Sequence, residues 1–257
     1  MKKLTNISLL LITKNESENL KNNFKWLDEC KTINEVIIVD DNSTDDTVET
    51  AKKLNSKNRN VKVFNRGLNN DFSAQRNFGI CKASNDLVFW LDADEYPSKK
   101  LIGFLNHIDK HKYNNYSFKR QDIFLGNTLK HGETASLKFT RLFNKNFGKF
   151  DGQVHETWVS VKTTKETDLV INHNSHKNLK SFMEKIDLYS TIRSQELFDQ
   201  KVSTNLFEII FFPIGKFLQN YIFRFGFLDG TPGIIMALCL SFHVFLNKSK
   251  LWHLSQL

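Results

Sequence analysis

Five consecutive apolar residues that run straight into carboxylates set the terms for this chain: residues 86–95 read DLVFWLDADE. Leu87, Val88, Phe89, Trp90 and Leu91 have the length and the β-branched and aromatic content of a strand buried on both faces. The run ends in Asp92, Asp94 and Glu95, and Pro97 stops any further ladder. In an extended chain alternate side chains share a face, so Asp92 and Asp94 point the same way. Two carboxylates at the carboxyl end of a buried strand suit a hard divalent cation that shares its coordination with substrate phosphates. An Asp-x-Asp by itself is more often a solvated acidic turn, and the residues upstream decide between the two.

Upstream, residues 7–13 read as a first buried strand that runs into Thr13, Lys14, Asn15 and Glu16. Residues 35–40, EVIIVD, read as a second, followed by Asp41, and residues 61–65 as a short third. Between them the spacing of Leu20, Phe24 and Leu27 predicts a helix over 17–30. Ser43 and Asp46 form a capping-box pattern ahead of a helix carrying Val48, Ala51 and Leu54. A further helix over 72–83 carries Gln75, Arg76 and Asn77. Short apolar strands alternating with helices predict an α/β fold, a Rossmann-like and mostly parallel sheet with helices on both faces. Ligands of such sheets sit outside the carboxyl ends of the strands, which here carry residues 13–16, Asp40 and Asp41, and residues 92–95. No Gly-x-Gly-x-x-Gly and no Walker lysine loop occurs among them, which disfavours a dinucleotide oxidoreductase or a P-loop NTPase.

The net charge of +8 over 257 residues points to an anionic partner: nucleotide phosphates, nucleic acid or an acidic membrane surface. No basic cluster with interleaved aromatics supports the nucleic-acid reading. Three cysteines, Cys30, Cys81 and Cys239, are too scattered for a disulfide framework or a thiolate metal site. Residues 1–3 followed by ISLLLIT resemble a signal peptide on the surface. The apolar run is short, however, and leads into Lys14, Asn15 and Glu16 with no small-residue cleavage site, so it reads as the first strand.

Beyond Pro97 the pattern loosens. Residues 99–110 read as a helix, and 116–124, 137–143 and 169–171 as strands. A loop over 147–152 delivers His155 and Glu156, and His173 and His176 follow the last strand. A polar amphipathic helix is expected over 179–200. Residues 206–246 are dense in Phe, Ile and Leu, broken by Glu208, Pro213, Lys216, Gln219 and Arg224 and then by a Gly/Pro-rich turn. No uninterrupted apolar run reaches spanning length, so this region is expected to be helical and to dock on an anionic membrane surface without crossing it.

Four stretches, ISLLLITKNESENL, VDDNSTDDT, SAQRNFGI and VFWLDADE, resemble in order and spacing the nucleotide-binding half of family 2 glycosyltransferases with the GT-A fold. The likeness covers about the first hundred residues. FDGQVHE, residues 150–156, is similar to the bacterial branch that glucosylates heptose in the lipopolysaccharide inner core. The resemblance implies inverting transfer from a nucleotide sugar, usually a UDP-sugar, with Mg²⁺ or Mn²⁺. It places Thr13, Asn15 and Glu16 along the nucleotide, Asp41 (with Asp40 able to share the role) on the base, and Arg76 near the donor phosphates. Asp92, with Ala93 beside it, would face the ribose or a metal-bound water, and Asp94 would ligate the metal. One departure is Lys14, where many relatives carry an aromatic residue against the uracil. On this reading residues 1–200 form the transferase domain: 1–97 the nucleotide-sugar half, 98–177 the acceptor half and 178–200 a helix. Residues 201–257 form the C-terminal apolar helical region.

The chemistry runs parallel to the resemblance. Breaking a sugar–phosphate bond leaves charge on a diphosphate, which a cation at Asp94 would stabilise. Attack from the opposite face needs a base outside the acidic cluster, and Glu156 is the candidate. His155 beside it is left as an orienting group, a metal contact or a packing residue. His173 and His176 are open between reaching the diphosphate and a structural role. The acceptor expected is a lipid-linked saccharide at the cytoplasmic face of a bacterial inner membrane. The alternatives are transfer to a polyprenyl phosphate and a non-catalytic nucleotide-sugar or membrane scaffold. Intact Asp92, Asp94 and Glu156 count against a scaffold.

Overall fold

The computed structural model describes residues 5–69, 71–109, 115–133, 135, 137–152, 156–176 and 178–256, with the backbone only at 175 and 176. The chain divides into two compact units, Met1–Arg120 with Lys138–His173, and Gln121–Leu137 with Asn174–Leu257. This division places the helix over 179–199 in the second unit, whereas the sequence reading drew its boundary at residue 200.

In the first unit the apolar runs form β1 (Ile7–Thr13), β2 (Ile33–Asp40), β3 (Asn60–Asn65) and β4 (Leu87–Asp92). They pair in parallel in the order β3-β2-β1-β4. Three helices connect them: α1 (Ser17–Asn23), α2 (Thr47–Lys52) and α3 (Phe72–Lys82). After β5 (Glu95–Pro97) and α4 (Lys99–Asn106) come β6 (Asn115–Phe124), β7 (Asn127–Thr128) and β8 (Lys138–Asn144). β8 joins β4 and β6 antiparallel, and β11 (Thr164–His176) pairs β5 antiparallel. The α/β class is as expected: the sheet is parallel where the acid-rich strand ends lie and antiparallel beyond. The stretch expected as a loop over 147–152 instead contains β9 (Gly148–Asp151), which forms a two-stranded hairpin with β10 (Thr157–Ser160).

Alternation sorts the buried strand residues onto two faces. Leu9, Leu11, Val36, Ile38, Phe89 and Leu91 pack with Leu20, Leu27, Leu101 and Leu105. Leu10, Ile37, Val39, Val88 and Trp90 pack with Ile80, Phe143 and Phe150. On that second face α3 lies so close to β1 and β2 that a Cβ on Gly79 would stand 2.3 Å from Leu10 Cδ1 and 3.0 Å from Val39 Cγ2. The helix expected over 17–30 stops at Asn23 and continues as a tighter 3₁₀ turn over Lys25–Asp28. The expected capping box is not formed. Ser43 turns back to Asp40, donating through its amide at 2.8 Å and its hydroxyl at 2.6 Å, and α2 begins without a side-chain cap.

In the second unit α5 (Leu179–Asp199), α6 (Leu206–Leu218) and α7 (Gly230–Leu254) carry most of the chain. Phe124, Leu129, Phe182, Ile186, Met236 and Cys239 form its core.

At the amino end of the parallel strands, Glu35 is buried and accepts from Lys62 Nζ, the Ser8 hydroxyl, and the Ser84 amide and hydroxyl. Burial pushes this carboxyl up, but those donors outweigh it and hold it at about 2, below the ordinary 4.5. A depressed folded-state value stabilises the fold above the unfolded value, and that contribution is lost as pH falls from about 4.5 towards about 2. Glu35→Gln should therefore lose less stability than the unaltered protein across that window, read as urea midpoints at about pH 5 and about pH 3. Identical losses in the two proteins would contradict the assignment.

Candidate functional site

Register sets three strand ends side by side: Thr13 is opposite Asp40, and Ile12 is opposite Asp92. The loops that leave β1 and β2 are stitched together. The Asn15 and Glu16 amides donate to the Ser43 and Thr47 hydroxyls at 2.9 and 2.7 Å. Asn15 Oδ1 accepts from the Thr44 amide at 2.8 Å. Asn15 and Asn42 both sit in the left-handed region, φ 55° and 52°, which asparagine tolerates better than most residues. Asp40 is buried and spent on this scaffold, accepting from Thr13 Oγ1 at 2.9 Å and from Ser43. Asp41 is held by the Leu68 amide and Lys14 Nζ, each at 2.8 Å. Burial pushes its carboxyl up, yet Lys14 and the Leu68 amide bring it below the ordinary range.

The end of β4 is occupied by an alternating chain of charges, Glu156–Arg76–Asp92–Arg141–Glu95. Arg76 on α3 is buried; its Nε and Nη2 reach Glu156 Oε1 at 2.8 and 2.7 Å, and Nη2 reaches Asp92 Oδ1 at 3.2 Å. Arg141 on β8 donates to Glu95 Oε1 at 2.6 Å, with Asp92 Oδ2 at 3.6 Å. Glu95 Oε2 accepts the Asp92 amide at 3.1 Å. Both guanidiniums lie over the Trp90 ring, 3.8 and 3.5 Å from its centroid, where cation–π attraction adds to the ion pairs. Burial raises the Asp92 carboxyl, but Arg76, Arg141 and His173 hold it down at about 2. Burial pushes Glu95 up against the pull of Arg141.

Asp94 stands outside that chain. Its carboxylate is partly exposed, with His173 Nε2 at 3.2 Å from Oδ2. His173 is placed there by β11, where it pairs with Glu95. Ala93 is buried and its carbonyl accepts from Asn23. His155 lies outside the described residues, as does the side chain of His176.

Asp92, Asp94, Glu95 and Glu156 set four carboxylates against two guanidiniums, a surplus of negative charge that a cation would reduce. Both Asp92 oxygens already face arginines, so Asp94 is the carboxylate of the pair that fits such an ion. Among the described residues no group of three or more His, Cys, Asp or Glu is placed to hold a metal.

Arg141 escaped the sequence reading. Its signal was a charge inside the apolar strand FTRLF, whose partner Glu95 lies 46 residues away. The hairpin delivers Glu156 to Arg76 across 80 residues through Asn77, which exchanges two hydrogen bonds with the Phe150 backbone at 2.9 Å.

A family model described as Glycosyl transferase family 2 matches residues 8–167. The chain is similar to an uncharacterized glycosyltransferase of Rickettsia prowazekii (strain Madrid E), 29% identical over 264 residues, 97% of this chain and 87% of that protein. An uncharacterized glycosyltransferase of Rickettsia conorii is 30% identical over 260 residues, 95% of this chain and 89% of that protein. Among solved structures the chain is similar to residues 1–349 of S. aureus TarS, at 18% identity and a TM-score of 0.48. That likeness covers 72% of this chain and 64% of the other.

Arg141 and Glu95 make the pairing testable apart from activity. Removing one member of a buried ion pair costs about 3–5 kcal/mol, because the other charge is left stranded. Arg141→Met should lower unfolding stability by that amount, and adding Glu95→Gln should recover part of it. A single variant within about 1 kcal/mol of the unaltered protein would show that the pair does not hold the site.

Proposed function

The chain belongs to glycosyl transferase family 2 and is a glycosyltransferase, and from that premise we propose that it inverts a nucleotide sugar, a UDP-sugar such as UDP-glucose, onto a hydroxyl of a lipid-linked saccharide. The observation that carries this reading is Arg76, which holds Asp92 at the end of β4 and Glu156 on the hairpin with one guanidinium. Donor-side and acceptor-side carboxylates are thereby kept in one rigid arrangement.

Thr13, Asn15, Glu16 and Asp41 form the cradle for the nucleotide, with Asp40 fixing its shape rather than touching the base. Lys14, paired to Asp41, takes the place of an aromatic wall and suits a phosphate or ribose oxygen. Asp92 and Ala93 border the ribose. Asp94 would hold Mg²⁺ or Mn²⁺, and when bound the ion supplies charge stabilisation to the departing diphosphate. His173 steadies the Asp94 carboxylate. Both contacts from Arg76 fall on Glu156 Oε1, and among the described residues Oε2 has no partner. Oε2 takes the proton of the acceptor hydroxyl as its oxygen forms the new bond to the sugar's anomeric carbon. The bond from that carbon to the phosphate oxygen breaks, and the nucleoside diphosphate leaves with the electron pair. A heptose-containing glycolipid of the lipopolysaccharide core is the acceptor favoured by the FDGQVHE segment.

The described chain carries two helical segments long and apolar enough to cross a membrane, Leu206–Phe223 and Gly226–Leu254. This corrects the expectation that no stretch reaches that length. Counting uninterrupted apolar residues missed that α7 continues as a helix through Asn247, Lys248 and Lys250. These segments support association with an anionic membrane surface, where a lipid-linked acceptor would be met.

A panel of nucleotide sugars, with and without Mn²⁺ and scored by release of nucleoside diphosphate on a heptose glycolipid, tests the reading. One UDP-sugar should turn over; turnover only with undecaprenyl phosphate would overturn the acceptor assignment. Asp94→Asn should lose most activity while keeping its unfolding midpoint, whereas full activity of that variant in EDTA would remove the metal from the account. Glu156→Gln should slow transfer about 10²–10⁴-fold with donor affinity intact. Collapse of donor affinity would place Glu156 on the donor side instead.

A further inference from the structure

The apolar helices of the second unit are long enough to cross a bilayer, yet two sets of contacts decide how they meet it. Leu206–Phe223 extends about 27 Å at helical rise, close to the thickness of a hydrocarbon core. Only 11% of that segment and 22% of the most apolar 18 residues within Gly226–Leu254 are buried, unlike the core helices of a soluble domain. On α6 the exposed residues Phe207, Ile210, Phe211, Ile214 and Leu218 recur at helical spacing and form one apolar stripe. Leu238, Phe242 and Phe245 do the same on α7.

The turn between the helices is rich in exposed aromatic residues. Phe223, Phe225, Phe227 and Leu228 are exposed, Phe223 at 74%. Phe225 adopts φ 57°, a left-handed conformation costly for an aromatic residue. The two segments touch beside it: a Cβ on Gly233 would stand 2.0 Å from the Gly226 carbonyl oxygen. Strain that puts an aromatic into solvent points to an apolar surface outside the chain. Arg224 is exposed among these side chains and suits an anionic lipid headgroup.

The same turn is pinned to a polar loop of its own unit. Asp229 accepts from the Lys130 and His131 amides and pairs with His131 Nδ1 at 2.8 Å. The Gly132 amide donates to the Arg224 carbonyl at 2.9 Å, and the Glu133 amide to Asn220 Oδ1 at 3.0 Å. Lys216 pairs with Glu133. At the other end of α7, Lys250 is bound to Asp187 of α5 at 2.7 Å. At that same end, remote from the turn, Glu208 and Lys248 neutralise each other between α6 and α7. A crossing hairpin would carry the turn, with the ion-paired 130–133 loop attached, into or through the hydrocarbon, where charged groups are expensive. Lying flat requires no contact to break.

We propose that α6 and α7 lie along the headgroup–acyl boundary of one leaflet of an anionic bilayer, with the aromatic turn at 223–228 dipping into it, and do not cross it. This deepens the membrane part of the reading above and rests on it. The surface is a monotopic anchor: apolar stripes supply the hold, and Arg224 selects headgroup charge.

The full chain should float with vesicles of phosphatidylglycerol and phosphatidylcholine, and lipids brominated on their acyl chains should quench the exposed Trp252. Phe223→Ser, Phe225→Ser and Phe227→Ser together should weaken flotation more than about tenfold, with the circular dichroism of the folded chain unchanged. Nucleoside diphosphate release in detergent should persist in that variant, which separates failure of the anchor from failure of the transferase reading. In a Cys81→Ser background, Ser255→Cys beyond α7 should react with a membrane-impermeant maleimide added outside the vesicles, and Thr231→Cys should not react with the same reagent enclosed in the vesicle lumen. The proposal is overturned if Thr231→Cys is labelled from the lumen while Ser255→Cys is labelled from outside. It is overturned equally if the triple variant floats as the unaltered chain does. Failure of the full chain to float, with self-association instead, shows that a second copy covers these stripes.

Discussion

Two guanidiniums stacked on one indole govern the arrangement of this site. Trp90 is fixed by β4 and by its own N–H bond to the Thr140 carbonyl at 2.8 Å, and it presents a flat apolar seat at the edge of the acidic cluster. Arg76 and Arg141 settle on it from α3 and β8 and organise three carboxylates between them. Without those cations, Asp92, Glu95 and Glu156 would repel one another in a poorly solvated space. With them, the geometry at the carboxyl end of β4 is determined by hydrogen bonds rather than by loop chance.

The consequence is a division of labour among acids that look equivalent in sequence. Asp40 shapes the β1–β2 loops, and Glu95 closes the turn after β4 through the Asp92 amide. Asp92 is kept ionised and oriented. Asp94 lies outside that chain of arginines, beside His173, and Glu156 turns one oxygen to Arg76; on the proposed reading the first would hold the cation and the second would take the proton. The scaffold beneath is dense, since both faces of β1, β2 and β4 are covered, and the α3–sheet approach at Gly79 brings Arg76 close enough to span the gap.

Much of this was legible because local pattern and position agreed. The apolar runs ending in acids placed β1, β2 and β4, and parallel pairing then set their carboxyl ends together. What escaped the sequence depended on contacts distant along the chain. Arg141 reads as an oddity in an apolar strand until Glu95 is found opposite it. Ser43 looked like a helix cap, but Asp40, three residues earlier, offered a carboxylate that outcompeted the α2 amides. The length of α7 was hidden by Lys248, whose charge is cancelled by Glu208 forty residues away. The hairpin that carries Glu156 was masked by its glycines, although a Cβ on Gly148 would meet the Val159 carbonyl oxygen at 2.3 Å, the close approach that glycine there serves.

Arg76 binds Asp92 and Glu156 with one guanidinium, and on the proposed reading Arg76 and Glu156 act as a unit. A double-mutant cycle on single-turnover transfer, combining Arg76→Gln with Glu156→Gln, measures that coupling directly. The account predicts a double variant little slower than the worse single variant, with a coupling of about 1–3 kcal/mol. Rate losses that simply add, within about 0.5 kcal/mol, would mean the two side chains serve separate functions and would contradict it.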